Sequence, residues 1–298
     1  MIDRKFAILE APSVLGLFPR GVETLPDALL GAKLAERLGA RRAGRIEPPA
    51  YDARRDPDTL LLNPRGIAAF SVALADRVGQ LLDEGAFPVV LGGDCSILLG
   101  NLLALRRRGR YGLLFIDGHA DFYQPEAEPN GEAASMDLAL ATGRGPGIVA
   151  DLEGRRPLVQ DADVVVFGRR DGADADAHGS QRVEDTPIRS IDLAALRAAG
   201  VNAAAASAVG HLCRPAVQGF WIHLDADVLD DAIMPAVDYR MPGGMSWDEL
   251  VASLDIAMAS GKAVGLHVTI FNPALDAGGG IAAAFVDALV RGLRKSGR

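Results

Sequence analysis

The sequence predicts an α/β fold: three layers, α/β/α, around a mostly parallel central sheet. Short runs that are almost wholly apolar, such as FPVVLGG (87–93), YGLLFID (111–117) and ADVVVFG (162–168), recur along the chain. Strands buried on both faces look like this. Longer segments with apolar residues at helical spacing separate them, which is the order of elements that builds a parallel sheet covered by helices. No Pro/Gly/Ser-rich linker and no internal repeat breaks the alternation, so residues 1–298 read as one domain.

In chain order, KFAIL (5–9) reads as a strand and DALLGAKLAERL (27–38) as a helix. Residues 66–84, GIAAFSVALADRVGQLLDE, form a strongly amphipathic helical pattern. A strand at 87–93 and a helix at 96–108 follow, the helix ending in three arginines that suit its carboxyl-terminal dipole. After the strands at 111–117 and 162–168, RRDGADADAHGSQ (169–181) reads as a polar loop. Helical patterns at 193–199 and around 203–212 precede the strand GFWIHLDAD (219–227). SWDELVASLDIAMAS (246–260) is a helix, AVGLHVTIF (263–271) a strand, and 279–296 the closing helix. Two polar loops, 122–135 and 228–245, each follow an acidic cluster.

Charge and cysteine usage narrow the function classes. Thirty-one basic against 39 acidic residues give a formal charge of −8, which argues against a general nucleic-acid binder. The two cysteines, Cys95 and Cys213, make no disulfide framework and fit a reducing compartment. The start of the chain has no long apolar signal core, and no apolar run approaches the ~20 residues of a membrane span. The expectation is a cytoplasmic protein with a small-molecule substrate and no membrane or nucleic-acid partner.

Acidic residues gather where two apolar runs finish. Asp117, His119 and Asp121 alternate in FIDGHADF, and Asp225 and Asp227 alternate in WIHLDADVLDD. In extended backbone such residues share one face, and open α/β sheets bind ligands beyond the carboxyl ends of their strands. If the two runs meet, four carboxylates enter one crevice. At ~4 Å and an effective dielectric of ~20 each pair repels by roughly 4 kcal/mol. Two divalent cations would balance the four charges, and oxygen ligands with one imidazole suit Mn²⁺. Cys95 ends a third apolar run at a Gly-Gly turn. It is either a small apolar filler or a further ligand, and a thiolate would favour Zn²⁺ or Fe²⁺.

GGDCS (92–96), DGHAD (117–121), DAD (225–227) and IFNP (270–273), with GGM (243–245), resemble in this order the motifs of the ureohydrolase superfamily, which includes arginase, agmatinase, guanidinobutyrase and formimidoylglutamase. The resemblance spans most of the chain and implies the arginase-like α/β/α fold. It also implies two metal ions, with Asp117 and Asp225 bridging them. Asp121 would bind the first ion, with Cys95 at the position of its usual histidine, and His119 and Asp227 would bind the second. The implied reaction is attack of a metal-activated hydroxide on a guanidinium or amidine carbon, and the implied assembly is a homo-oligomer, a trimer or hexamer.

Three positions depart from the family pattern. Cys95 replaces a histidine, Ala134 falls where a proton-shuttling histidine belongs, and Ile270 replaces the glutamate that holds the guanidinium. An amidine buried against isoleucine leaves N–H donors unpaired at a cost of ~1–3 kcal/mol. His223, two residues before Asp225, is a candidate to orient a ligand carboxylate or relay a proton, so Asp121 and His223 are the candidate catalytic groups. Glu132, His267 and Ile270 are the candidate substrate-binding residues, and Cys213 reads as structural. The favoured expectation is a binuclear hydrolase of C–N bonds in guanidino or amidino compounds. The alternatives are a catalytically impaired binding or regulatory relative, and a one-metal amide hydrolase of the deacetylase kind.

Overall fold

The computed structural model describes residues 4–294. Eight strands form one sheet: β1 (Lys5–Ala11), β2 (Arg41–Arg45), β3 (Ala86–Gly92), β4 (Gly112–Ile116), β5 (Val164–Phe167), β6 (Arg189–Ile191), β7 (Phe220–Asp225) and β8 (Ala263–Thr269). All neighbours pair in parallel, in the order β2-β1-β3-β8-β7-β4-β5-β6. The helices are α1 (Leu25–Gly31), α2 (Leu34–Leu38), α3 (Pro64–Asp83), α4 (Leu98–Arg106), α5 (Asp137–Ala141), α6 (Gly147–Ala150), α7 (Gly172–Ala177), α8 (Leu193–Ala199), α9 (Val201–Leu212), α10 (Trp247–Ala259) and α11 (Gly280–Leu293). Among the described residues no single helix is long and apolar enough to cross a membrane.

The expected three layers are present. Alternate strand residues point to opposite faces, and they feed two separate apolar cores. Ile8, Leu91, Ile222 and Leu224 join Leu29, Val209, Leu254 and Phe285 of α1, α9, α10 and α11. Leu9, Val90, Phe115 and Trp221 join Phe70, Leu74, Leu102 and Leu138 of α3, α4 and α5. In α3 the buried Ile67, Phe70, Leu74, Val78 and Leu81 recur three or four residues apart, and Pro64 opens its first turn, where its missing N–H costs nothing. The Ser246–Glu249 capping box starts α10, with Ser246 N–H donating to Glu249 Oε2 at 2.7 Å and Glu249 N–H to Ser246 Oγ at 3.2 Å.

Several local readings need correction. The helix expected over 27–38 is two, α1 and α2, because Lys33 takes a left-handed conformation (φ 67°). Part of the polar stretch 169–181 is helical, as α7. The edge strands β2 (RRAGR) and β6 (RSI) escape an apolar-run search, since an edge exposed to water is charged or short. Most relevant to the site, β4 stops at Ile116. Asp117, His119 and Asp121 therefore lie in a loop beyond the strand, not in extended alternation, and Asp121 has φ 43°. Asp225 ends β7, and Asp227 sits in the following short 3₁₀ turn.

Candidate metal centre

The four strands that deliver the site, β3, β8, β7 and β4, are consecutive neighbours at the middle of the sheet. Their carboxyl ends therefore open on one crevice. The turn after β3 is pinned from below. A Cβ on Gly93 would lie 1.8 Å from the Ser13 carbonyl oxygen, so only glycine fits there. Asp94 N–H donates to that same carbonyl at 2.9 Å. The Asp94 carboxylate is engaged in the turn, accepting from Ser96 N–H at 2.8 Å and Gly16 N–H at 3.2 Å. Cys95 is left projecting into the crevice, 1% exposed, its thiol donating to Asp225 Oδ2 at 2.9 Å and its sulfur 3.3 Å from Thr269 Oγ1. Burial, and then the charge of Asp225, push this thiol up from its ordinary pKa.

The two acidic stretches meet. His119 Nδ1 lies 2.9 Å from Asp227 Oδ2 and 3.8 Å from Asp117 Oδ1. Gly118 N–H donates to Asp227 Oδ1 at 3.2 Å, and Asp227 N–H to Asp225 Oδ1 at 2.7 Å. Three overlapping sets have ligand atoms within 4.8 Å of one another: Asp117, His119 and Asp227; Cys95, Asp121 and Asp137; and Cys95, Asp117, His223 and Asp225. Among the described residues no arginine or lysine pairs with the carboxylates of Asp117, Asp121, Asp137 or Asp225. Burial, followed by neighbouring carboxylates, raises the pKa of all four. Burial pulls His119 down, but Asp227 and Asp117 outweigh it and lift the imidazole to about 9. Buried anions that lack counter-charges are what divalent cations neutralise. This donor set fits two such ions, most of its ligands being hard oxygens.

His223 does not stand alone. The Trp221 indole N–H donates to His267 Nδ1 at 2.7 Å. An indole can only donate, so the neutral His267 carries its proton on Nε2. That proton points to His223 Nδ1 at 2.6 Å. His223 is then protonated on Nε2, which donates to Asp117 Oδ2 at 3.1 Å. The ring of Phe115 stacks on His223 with centroids 4.2 Å apart, fixing its plane. The chain Trp221–His267–His223 holds one oxygen of Asp117 and leaves the other facing His119.

A cavity of about 220 Å³ opens above the cluster. Cys95, His119, Asp121, Asp225 and Asp227 form its floor, with Glu132, Ala134 and Ile270 in the wall. Glu132, read from sequence as a loop acid, is 1% exposed and held by Tyr239 Oη, Asn130 and Phe18 N–H. Ile270 has φ 70°, an uncommon conformation for a β-branched residue. His267 does not line the cavity. It lies behind His223, fully buried, because its strand position points beneath the site, so the expected substrate contact is replaced by an ordering one. Cys213 ends α9, half-buried, away from the cluster. Sequence reasoning missed Asp137 and His178, the second of which also lines the cavity. The signal for Asp137 was an acid inside the apolar stretch AASMDLALA (133–141).

Comparison with known proteins gives consistent results. A model of the Arginase family matches residues 4–293. The chain is 27% identical over 279 residues to an arginase of Bacillus subtilis strain 168, covering 92% of this chain and 93% of that one. It superposes on the crystal structure of an arginase from Bacillus cereus with a TM-score of 0.87 at 25% identity, over 99% of this chain and 100% of the other. The crystal structure of a hypothetical agmatinase from Burkholderia thailandensis shares the fold, at TM-score 0.71 and 19% identity over 98% and 85% of the two chains.

Proposed function

The chain belongs to the Arginase family, and from that premise we propose that it is a hydrolase with two divalent ions that cleaves a C–N bond of a guanidino or amidino compound. The observation that carries this reading is the convergence of Cys95, Asp117, His119, Asp121, Asp225 and Asp227 on one crevice, with no arginine or lysine among the described residues paired to the carboxylates of Asp117, Asp121 or Asp225. Asp117 belongs to both the His119–Asp227 group and the Cys95–Asp225 group, which supports the reading that Asp117 and Asp225 would be shared by the two ions. His119 and Asp227 would then hold one ion, and Cys95 and Asp121 the other. When bound, such ions lower the pKa of water so that hydroxide exists near neutral pH. Mn²⁺ suits the oxygen ligands, and Zn²⁺ or Fe²⁺ suits the thiolate. The residues of the chain do the rest. Asp121, on the cavity floor, is placed to take the proton that the attacking water gives up. The Nε2–H of His223 keeps Asp117 in one orientation.

The cavity wall carries Glu128, Glu132 and Asp174 and includes no lysine or arginine. A substrate carboxylate would find no cation there, whereas an amine would find several acids. The substrate class is therefore a guanidino compound whose far end is cationic or neutral. Elemental analysis and a hydrolysis panel test this. We expect about two ions per chain, faster turnover of an amine-ended guanidino compound than of its α-amino acid counterpart, and no turnover by Asp117→Asn or Asp225→Asn. Protein that stays metal-free after supplementation would refute it.

Ile270 and Ala134 favour a second reading, a binding protein of the same fold without turnover. Neither side chain can hold an amidine or move a proton. Its signature is saturable binding of the amine-ended compound with no product, and any turnover lost in Asp117→Asn rejects it. We carry homo-oligomerisation as an expectation from the family, to be checked by light scattering.

A further inference from the structure

Asp137 has no place in the motifs that identify the site. It opens α5 and is fully buried. Neither of its carboxylate oxygens has a hydrogen-bond partner, although the Leu138 N–H is near enough to favour its charged form. The nearest imidazole nitrogen, His223 Nδ1, is 3.9 Å from Oδ2. That nitrogen already accepts from His267 at 2.6 Å and has no proton to give. Among the described residues no arginine or lysine reaches Asp137. An acid of this size, buried and unpartnered, is costly to keep. Yet a carboxylate oxygen of Asp137 lies within 4.8 Å of both Cys95 Sγ and a carboxylate oxygen of Asp121.

We infer that Asp137 is a ligand of the first metal position, completing with Cys95 and Asp121 a site made of one thiolate and carboxylates, with no imidazole. The inference rests on the proposed two-ion reading and deepens it. Replacing a neutral histidine by Cys95 removes a nitrogen donor, and Asp137, which does not line the cavity, supplies an additional oxygen donor. The two positions then differ in kind: His119 gives the second ion a nitrogen ligand, while the first ion receives sulfur and oxygen only. Sulfur would favour Zn²⁺ or Fe²⁺ over Mn²⁺ at that position alone, so the two positions would differ in the ion they prefer.

The test compares the full-length protein with Asp137→Asn, Cys95→Ser and the double variant, each loaded with Zn²⁺ or Co²⁺ and then dialysed. Wild type is expected to retain about two ions per chain and each single variant about one. The double variant should lose no more than either single one, because both changes empty the same position. Cobalt-loaded wild type should show sulfur-to-cobalt charge-transfer absorption that Asp137→Asn weakens although Cys95 is intact. With chelator present, Asp137→Asn should melt at or above wild type, and it should gain less from added metal. Equal ion content and equal metal-induced shifts in wild type and Asp137→Asn would overturn the role of Asp137 while leaving the two-ion reading standing. A large loss of melting temperature in chelator would assign Asp137 a structural role and overturn it as well. Wild type that retains no ion would overturn both.

Discussion

At the scale of single residues, the direction of a proton decides what Asp117 does. Trp221 forces His267 to accept on Nδ1, and the consequence passes through His223 to Asp117 Oδ2. Trp221→Phe keeps an aromatic ring in the buried core but removes the N–H donor together with part of the indole. His267 is then free to take either tautomer, and the hydrogen bond to Asp117 is no longer enforced. Partners that orient ligand carboxylates and imidazoles in this way are worth about 10–100-fold in metal affinity or activity. Trp221→Phe should fall in that range when metal affinity is titrated with a competing chelator, and the space it leaves in the core should separately lower the melting temperature of the metal-free protein. Cys95 is the other decisive residue. Its thiol donates to Asp225, so Cys95→His should change which ion survives dialysis, read by elemental analysis.

At the scale of elements, the site depends on how closely β7 and β8 approach. Trp221 of β7 pairs in register with Gly265 of β8. A Cβ at residue 265 would lie 2.1 Å from the indole ring. This glycine is therefore required by the tryptophan, and through it by the hydrogen-bond chain to Asp117. Gly265→Ala forces the indole aside in a filled core, where overpacking costs about 1–3 kcal/mol. Chemical denaturation should show that loss. Metal titration should show a deficit like that of Trp221→Phe, since both changes act on the same donor.

At the scale of the whole molecule, buried like charge links metal, pH and stability. The folded, metal-free protein holds His119 protonated up to about 9, against 6.5 in an unfolded chain. A raised folded pKa stabilises fully below pH 6.5, and its contribution fades as pH climbs through about 9. An ion must displace that proton, so metal affinity should rise across the same interval. Melting curves with and without chelator between pH 6.5 and 9 check both statements: the metal-free melting temperature should fall with pH while the increment from metal grows. At 100-fold excess over the dissociation constant the ion should add about 2.7 kcal/mol per site. An increment that shrinks with rising pH would contradict this account.

The layers and the available chemistry were legible in the chain. Short apolar runs alternating with longer helical patterns point to strands covered on both sides, and FIDGHADF and WIHLDAD carry their acids past the last apolar residue. The reading that these acids alternate along a strand was wrong in mechanism, since β4 ends at Ile116. Their grouping survived because ligands gather beyond strand ends whichever backbone carries them. Only the tertiary structure decided that β3, β8, β7 and β4 are neighbours, that His267 stands behind His223, and that Glu132 belongs to a cavity wall rather than to solvent. It alone brought a carboxylate oxygen of Asp137 within 4.8 Å of Cys95 and Asp121. The reason is physical: apolar period and strand-end position are local properties of the chain. The partner of a buried polar group is fixed by how distant elements pack, and no spacing within the chain encodes it.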